Sequence, residues 1–402
     1  MFSDLAVLLK APVYDHLPLT WGLACFAGLL LVSRLFSSEG RPLFLLGASL
    51  FILELATDPF YLFLFVATGG LLFLTLMYTA MRPYRQQVCT GLAIGLVVFY
   101  FWLMHTPSPF TGSLVHEFGI SYTLIRWLSV ILDIRAGLPI AGGMAEFFCY
   151  TFFAPTFFKG PIERFEHFHE TMTQPDPLTL KDTLLTLLRI AIGCLKWWFA
   201  QKYLAMDWKI VFDTPQYFSY GHLWITFYTL SLWFYLLVSG ANDLTIAACG
   251  LAGFRISENF HFPYFKRNLS LFWRSWHMTL TGFCRDYLYI PLGGNRRHPF
   301  RNILIVFMSI ALWHVVSPAF FIWGLWHATG MILLRIWTKF CTTKPQLQAW
   351  AQRYPRFTSG ASMILTFHFV SIGWLPFWGG HPQGVSLFLR LISGNHWKLF
   401  VW

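Results

Sequence analysis

Charge is scarce in this 402-residue chain: Asp, Glu, Lys and Arg make up 12% of it, about half of the roughly 25% usual in soluble domains. With 56% of residues hydrophobic, the composition excludes an ordinary soluble protein. Familiar catalytic signatures are missing as well. There is no GxSxG elbow, no Walker loop and no HExxH, since His116 and Glu117 are followed by Phe118, Gly119 and Ile120. A serine-triad hydrolase, an ATPase and a zinc protease therefore lack support. The seven cysteines form no CxxC pair and sit almost wholly in apolar stretches, so neither a disulfide framework nor a zinc site is expected. Residues 1–16 lack a basic leading segment, so a cleaved signal peptide is not expected.

What is present is aromatic and apolar. The 43 Phe, 19 Trp and 16 Tyr exclude disorder and suit a bilayer with interfacial belts. The net charge of +11 invites a nucleic-acid reading, but the positions argue against it. Arg34, Arg41, Arg82, Arg85, Arg296, Arg297 and Arg301 lie in short connections between apolar runs, where the positive-inside bias and lipid headgroups hold such residues. Membrane lipids are the expected partner, and nucleic acid is not.

Spans are expected near 17–36, 42–57, 59–81, 88–104, 119–134, 140–158, 183–205, 222–239, 241–254, 302–317, 319–338 and 361–379. The expected fold is all-α: a polytopic integral membrane protein of about twelve transmembrane or re-entrant helices. No repeat, linker or soluble module interrupts it, so residues 1–402 read as a single domain. Alternating basic connections place Arg41 and Arg85 in the cytoplasm, with Asp58 and the loop 106–117 outside.

The block 255–301 is too polar to span and too aromatic for an ordinary loop, so it should be buried in protein or line a wet cavity. Leu269, Phe272, Trp273, Trp276, Leu280 and Phe283 recur at helical spacing, which predicts one helix over 269–283 with Arg274 and His277 on a shared face. His314, in ALWHV, and His327, in GLWHA, lie inside apolar runs, where an ionisable group marks a function or a specific partner. Thirteen residues on one straight helix turn through about 220° net, so with Pro318 between them the two histidines are assigned to separate helices. Asn242 and Asp243 could line a polar path or pin two helices. The His167-x-His169 pair beside Glu170 is too short a tract to indicate a metal, and no metal site is expected. A buried histidine can remove a proton from a hydroxyl without a covalent intermediate.

The block ENFHFPYFKRNLSLFWRSWHMTLTGFCRDYLYIPLGGNR, followed by ALWHVVSPAFFIWGLWHATG, resembles the membrane-bound O-acyltransferase family. The likeness is to the bacterial branch with the alginate O-acetylation membrane protein and the teichoic-acid D-alanine transferase. Segments 119–137, 152–168, 228–260 and 365–378 support it in order, so the family-like core covers about 119–395. The resemblance implies a ring of helices around a central tunnel. It also implies that His314 is the catalytic base and His277 the second polar residue of the reaction centre. Asn242, Asp243, Trp273, Arg274, Arg285, Asp286, Trp313 and His327 become candidates for the substrate path or tunnel. Ala311 and Val315 replace the glycines usual around Leu-Trp-His, which should narrow the space beside His314.

On this resemblance no cofactor is tightly bound, and the acyl donor is a thioester, either acetyl-CoA or the phosphopantetheine of an acyl carrier protein. A cytoplasmic carrier protein and a periplasmic or extracellular acyltransferase or esterase are the expected partners, and the bacterial cytoplasmic (inner) membrane the expected location. Acetyl transfer to a cell-envelope glycan is the first expectation, with D-alanyl transfer the alternative and a transporter or flippase the reading from another class.

Overall fold

The computed structural model describes residues 27–56, 59–105, 120–140, 142–205, 208–379 and 383–393. All the regular elements described there are helical, and the chain divides into two compact units, residues 1–195 with 240–258 and residues 196–239 with 259–402. Among the described residues, five helices are long and apolar enough to cross a membrane: Leu62–Thr79, Arg85–Leu103, Leu180–Leu204, Tyr220–Leu251 and Pro318–Thr342. This is a membrane protein in composition and in its helices.

The first unit contains α1 (Gly40–Ala56), α2 (Pro59–Thr79), α3 (Arg85–His105), α4 (Ile120–Ala136), α5 (Met144–Phe152), α6 (Ala154–Phe157), α7 (Phe165–Thr173) and α8 (Leu180–Phe199). The expected span 140–158 is broken into α5 and α6, and the cause is local. Pro155 has no N–H for the carbonyl of Thr151, and the Ala154 N–H is turned to Ser49 Oγ at 3.3 Å. The carbonyls left over are taken by Arg126, whose guanidinium is 1% exposed. It donates to Tyr150 O at 3.0 Å, Thr151 O at 3.1 Å, and Thr156 O and Oγ1 at 2.6 Å each. The two terminal nitrogens make these four hydrogen bonds while Nε has no protein partner, and a buried cation is tolerated where most of its donors are satisfied.

Two arginines placed by sequence at the headgroups also act as interior ties. Arg34 donates to Asp176 O and Ala252 O at 2.9 and 2.8 Å. Arg41, 7% exposed, donates to Met172 O at 2.8 Å and Phe36 O at 3.1 Å. Asp58 and the loop 106–117, which carried the outward half of the expected topology, lie outside the described residues.

A π-helical turn (Ala200–Leu204) and α9 (Trp208–Asp213) lead to α10 (Tyr220–Leu251), a single 32-residue helix where two spans were expected. The break was expected at Gly240, but one glycine inside a helix costs only about 1 kcal/mol relative to Ala. A Cβ on Gly193 of α8 would sit 3.1 Å from Gly240 O, so small residues serve close approach of α8 and α10 here.

The second unit continues with α11 (Leu269–Trp273), α12 (Met278–Cys284), a π-helical turn (Arg285–Tyr289), α13 (Pro299–His314), α14 (Pro318–Thr342), α15 (Pro345–Arg353), α16 (Pro355–Gly379) and α17 (Gln383–Ser393). Its apolar core joins Ala200, Val211, Phe227, Leu230, Trp233, Leu375 and Leu387. The polar block is pinned to that core by Tyr264, whose hydroxyl donates to Ser231 O at 2.9 Å and accepts from Trp374 Nε1 at 3.1 Å. α13 and α14 pack closely because Gly324 admits Met308, Ala311 and the Phe307 carbonyl, all within 3.1 Å of where its Cβ would lie.

Candidate active site

The predicted helix over 269–283 is interrupted. α11 ends at Trp273 and α12 starts at Met278, and the residue between them that reverses the chain is His277, at φ 45° and ψ 55°. A non-glycine residue in the left-handed region is uncommon and is held there by its surroundings. Asn259 does the holding. Its carbonyl accepts from Met278 N at 2.9 Å, and its side-chain Oδ1 accepts from Thr279 N at 3.2 Å and Thr279 Oγ1 at 2.9 Å. Phe260 and Trp276 form an isolated antiparallel bridge beside it. Arg274 and His277 therefore do not share a helix face, and Arg274 is exposed.

His277 Nδ1 lies 3.2 Å from Asn259 Oδ1. The backbone N–H of Thr279 can only donate, so that oxygen is an acceptor, and His277 must present its proton on Nδ1. In the neutral ring the lone pair is then on Nε2. The ring keeps some surface, yet the atoms crowded around it make desolvation strong enough to push its pKa down to about 4. It is neutral at pH 7.

His314 is the last residue of α13, and His327 lies on α14, so the two occupy separate helices as the Pro318 break predicted. Ser317 caps α14, accepting from Phe320 N at 3.3 Å, and Pro318 takes the first helical position. The His314 ring, half-buried, lies 4.7 Å from Trp313, 5.6 Å from Phe320 and 6.0 Å from Trp323 between centroids. Val315 is extended at φ −159°, a conformation open to a β-branched residue, and Ala311 is buried against Gly324. The two departures from glycine thus sit where the backbone needs no glycine.

Other candidates have identifiable surroundings. Trp273 is buried with its ring 4.9 Å from His327. Arg285 is exposed and pairs with neighbouring Asp286 at 2.7 Å. Asn242 and Asp243 belong to the first unit, where Asn242 is buried and Asp243 receives Arg189 Nε at 3.0 Å, the same guanidinium that grips Glu258. His167 donates from Nδ1 to Glu163 Oε2 at 2.7 Å, and the buried Glu163 also accepts from Ser257 N at 2.6 Å. Among the described residues no three His, Cys, Asp or Glu side chains are grouped to hold a metal ion.

The model of the membrane-bound O-acyltransferase family matches residues 93–372. The chain belongs to this family. Among its relatives, a protein named probable alginate O-acetylase from Pseudomonas aeruginosa is 28% identical over 288 residues, 70% of this chain and 52% of that one. The peptidoglycan O-acetyltransferase of Helicobacter pylori is 30% identical over 62% of this chain and 46% of its own. The teichoic acid D-alanyltransferase of Bacillus subtilis is 25% identical over 76% of this chain and 82% of its own. The chain spans about half the length of the alginate and peptidoglycan relatives. The matched range contains His277, His314 and His327 but stops short of α17. Asn259 was not singled out from sequence, although it lies in the ENFHFPY motif.

Proposed function

We propose that this protein is a multi-pass O-acyltransferase of the bacterial inner membrane that moves an acyl group, acetyl by preference, from a cytoplasmic thioester donor to a hydroxyl of a cell-envelope glycan. The observation that carries the reading is the position of His314, half-buried at the C-terminus of α13 in a chain of this family. A helix C-terminus carries partial negative charge, which favours the imidazolium formed when the ring accepts a proton. His314 takes the acceptor hydroxyl's proton as its oxygen attacks the thioester carbonyl, and the thiolate leaves. His277, neutral and presenting Nε2 as an acceptor, orients an O–H or N–H of the substrate. A ring of about twelve helices around a tunnel, with Asn242, Asp243, Trp273, Arg274, Arg285, Asp286 and Trp313 along the substrate path and His327 behind it, is part of the same proposal. So are an acyl carrier protein or acetyl-CoA as donor and an extracytoplasmic acyltransferase or esterase as partner.

D-alanyl transfer to teichoic acid or another envelope polymer is the second reading, favoured by coverage. The Bacillus subtilis D-alanyltransferase is matched over 82% of its length, against 52% for the alginate relative. The test is reconstituted transfer with acetyl-CoA and with D-alanyl carrier protein as alternative donors, comparing the wild type with His314→Ala. Loss of about 10²–10⁴ in rate with folding intact is expected for a positioned base. Near-normal transfer by folded His314→Ala would defeat the assignment, and movement of substrate with no change in acyl content would turn it towards a transporter.

A further inference from the structure

We infer that His327 is a positioning residue for His314, acting through the indole of Trp323, which both histidine rings contact. The inference rests on the reading of His314 as the base. The His327 side chain is wholly buried, and neither ring nitrogen has a hydrogen-bond partner among the protein's own groups. Each unsatisfied buried polar group costs about 1–3 kcal/mol, so the imidazole is not kept for hydrogen bonding within the fold. What it contributes is contact. Its centroid lies 4.9 Å from Trp273 at 87° and 4.9 Å from Trp323 at 60°, with Phe307, Phe369 and Trp374 completing the enclosure at 5.9–6.0 Å.

The size of the ring is set by α16. A Cβ on Gly373 would fall 2.5 Å from Nε2, so the imidazole already reaches the helix backbone, and a phenyl ring would press further into it. A five-membered ring is the aromatic side chain that fits. The same indole meets the His314 ring edge-on at 6.0 Å and 82°. His327 and His314 therefore share one indole, and Trp323 is 1% exposed, with little room to move. Close-packed interiors pass a displacement on rather than absorbing it. Removing His327 lets Trp323 settle towards the gap, and His314 loses the wall that fixes its ring.

The test is steady-state transfer per folded molecule for His327→Ala, His327→Met, Trp323→Ala and the His327→Ala/Trp323→Ala double variant, with His314→Ala in parallel. His327→Ala should lower kcat by about 10- to 100-fold, as small misplacements of a catalytic group do, and should leave the donor KM within about threefold. His327→Met, which refills the space without ring nitrogens, should recover most of the lost kcat. The double variant should be no worse than Trp323→Ala, because both changes break one path. A folded His327→Met as impaired as His327→Ala would overturn the inference by showing that the nitrogens are needed, as would additive losses in the double variant or a wild-type kcat in His327→Ala. Those outcomes leave His314 as the base if His314→Ala is inactive, whereas an active His314→Ala would remove the underlying reading itself.

Discussion

His277 and Asn259 are joined Nδ1 to Oδ1 at 3.2 Å, and the same oxygen receives Thr279 N, so one amide fixes both the turn and the imidazole tautomer. Asn259→Ala removes the acceptor and leaves a backbone N–H unpaired, at a cost of about 1–3 kcal/mol. It should also lower kcat about 10-fold or more, on the scale of second-sphere partners that orient a histidine. Asn259→Asp keeps the acceptor but sets a carboxylate beside the ring, which favours the imidazolium and raises the His277 pKa above about 4. If neutral His277 is required, the acid limb of the pH–kcat profile moves to higher pH in Asn259→Asp. An unmoved acid limb would count against the tautomer assignment.

Arg126 and Pro155 make a linked pair for stability. Arg126→Met strands the carbonyls of Tyr150 and Thr151, which α5 cannot satisfy because the Ala154 N–H is turned to Ser49 and Pro155 lacks an N–H. We expect a loss of at least about 3 kcal/mol, as for other removals of one side of a buried polar network. Pro155→Ala restores a donor to Thr151 and should recover part of that loss in the Arg126→Met background, while destabilising little by itself. Thermal unfolding in detergent for the two single variants and the double variant measures the coupling.

The helix bearing His314 and the separate helix bearing His327 were legible in sequence because Pro318 stops the pattern and Ser317 caps the next helix. The turn at His277 was not. Its apolar spacing of three and four runs unbroken from Leu269 to Phe283, and no glycine or proline marks the reversal. The left-handed backbone is imposed by Asn259, eighteen residues away in sequence, and hydrophobic period carries no trace of such a contact. α10 shows the opposite failure: Gly240 and the polar pair Asn242–Asp243 looked like a boundary, yet close packing on Gly193 and the Arg189 ion pair keep the helix continuous. Family motifs marked the histidines but gave no sign that Trp323 is in contact with two of them.

His167 offers a pH test outside the apolar helices. Its hydrogen bond to Glu163 raises its pKa, outweighing the burial that lowers it. A group whose pKa is raised on folding contributes stability that is fully present below its unfolded value, about 6.5. That contribution is lost as pH rises through the folded value. Melting temperature in detergent should therefore fall more steeply as pH rises above about 6.5 in wild type than in His167→Gln. Parallel curves for the two proteins would show that the pair adds nothing, as exposed pairs often do.

The loop after α12 tests the class of donor. Asn302, fully buried on α13, donates to the carbonyls of Leu292, Gly294 and Arg297 at 3.2, 3.0 and 2.7 Å. Gly293 at φ 101° lets the chain close on Arg297, and Asn295 is gripped by Tyr289 at 2.8 Å and by Arg335. Arg296 and Arg297 are left exposed on a rigid support. Guanidinium groups bind phosphate bidentately, and both coenzyme A and a phosphopantetheine arm carry phosphates close to the thioester chain. Arg296→Glu/Arg297→Glu should raise the KM for such donors about 10-fold or more, with the difference shrinking at high salt, as rim charges behave. An acyl-pantetheine without phosphate is the control, because its KM should respond little to the reversal. Equal effects on both donors would assign these arginines to lipid headgroups or to the fold instead, and the unfolding temperature of the double variant separates those two outcomes.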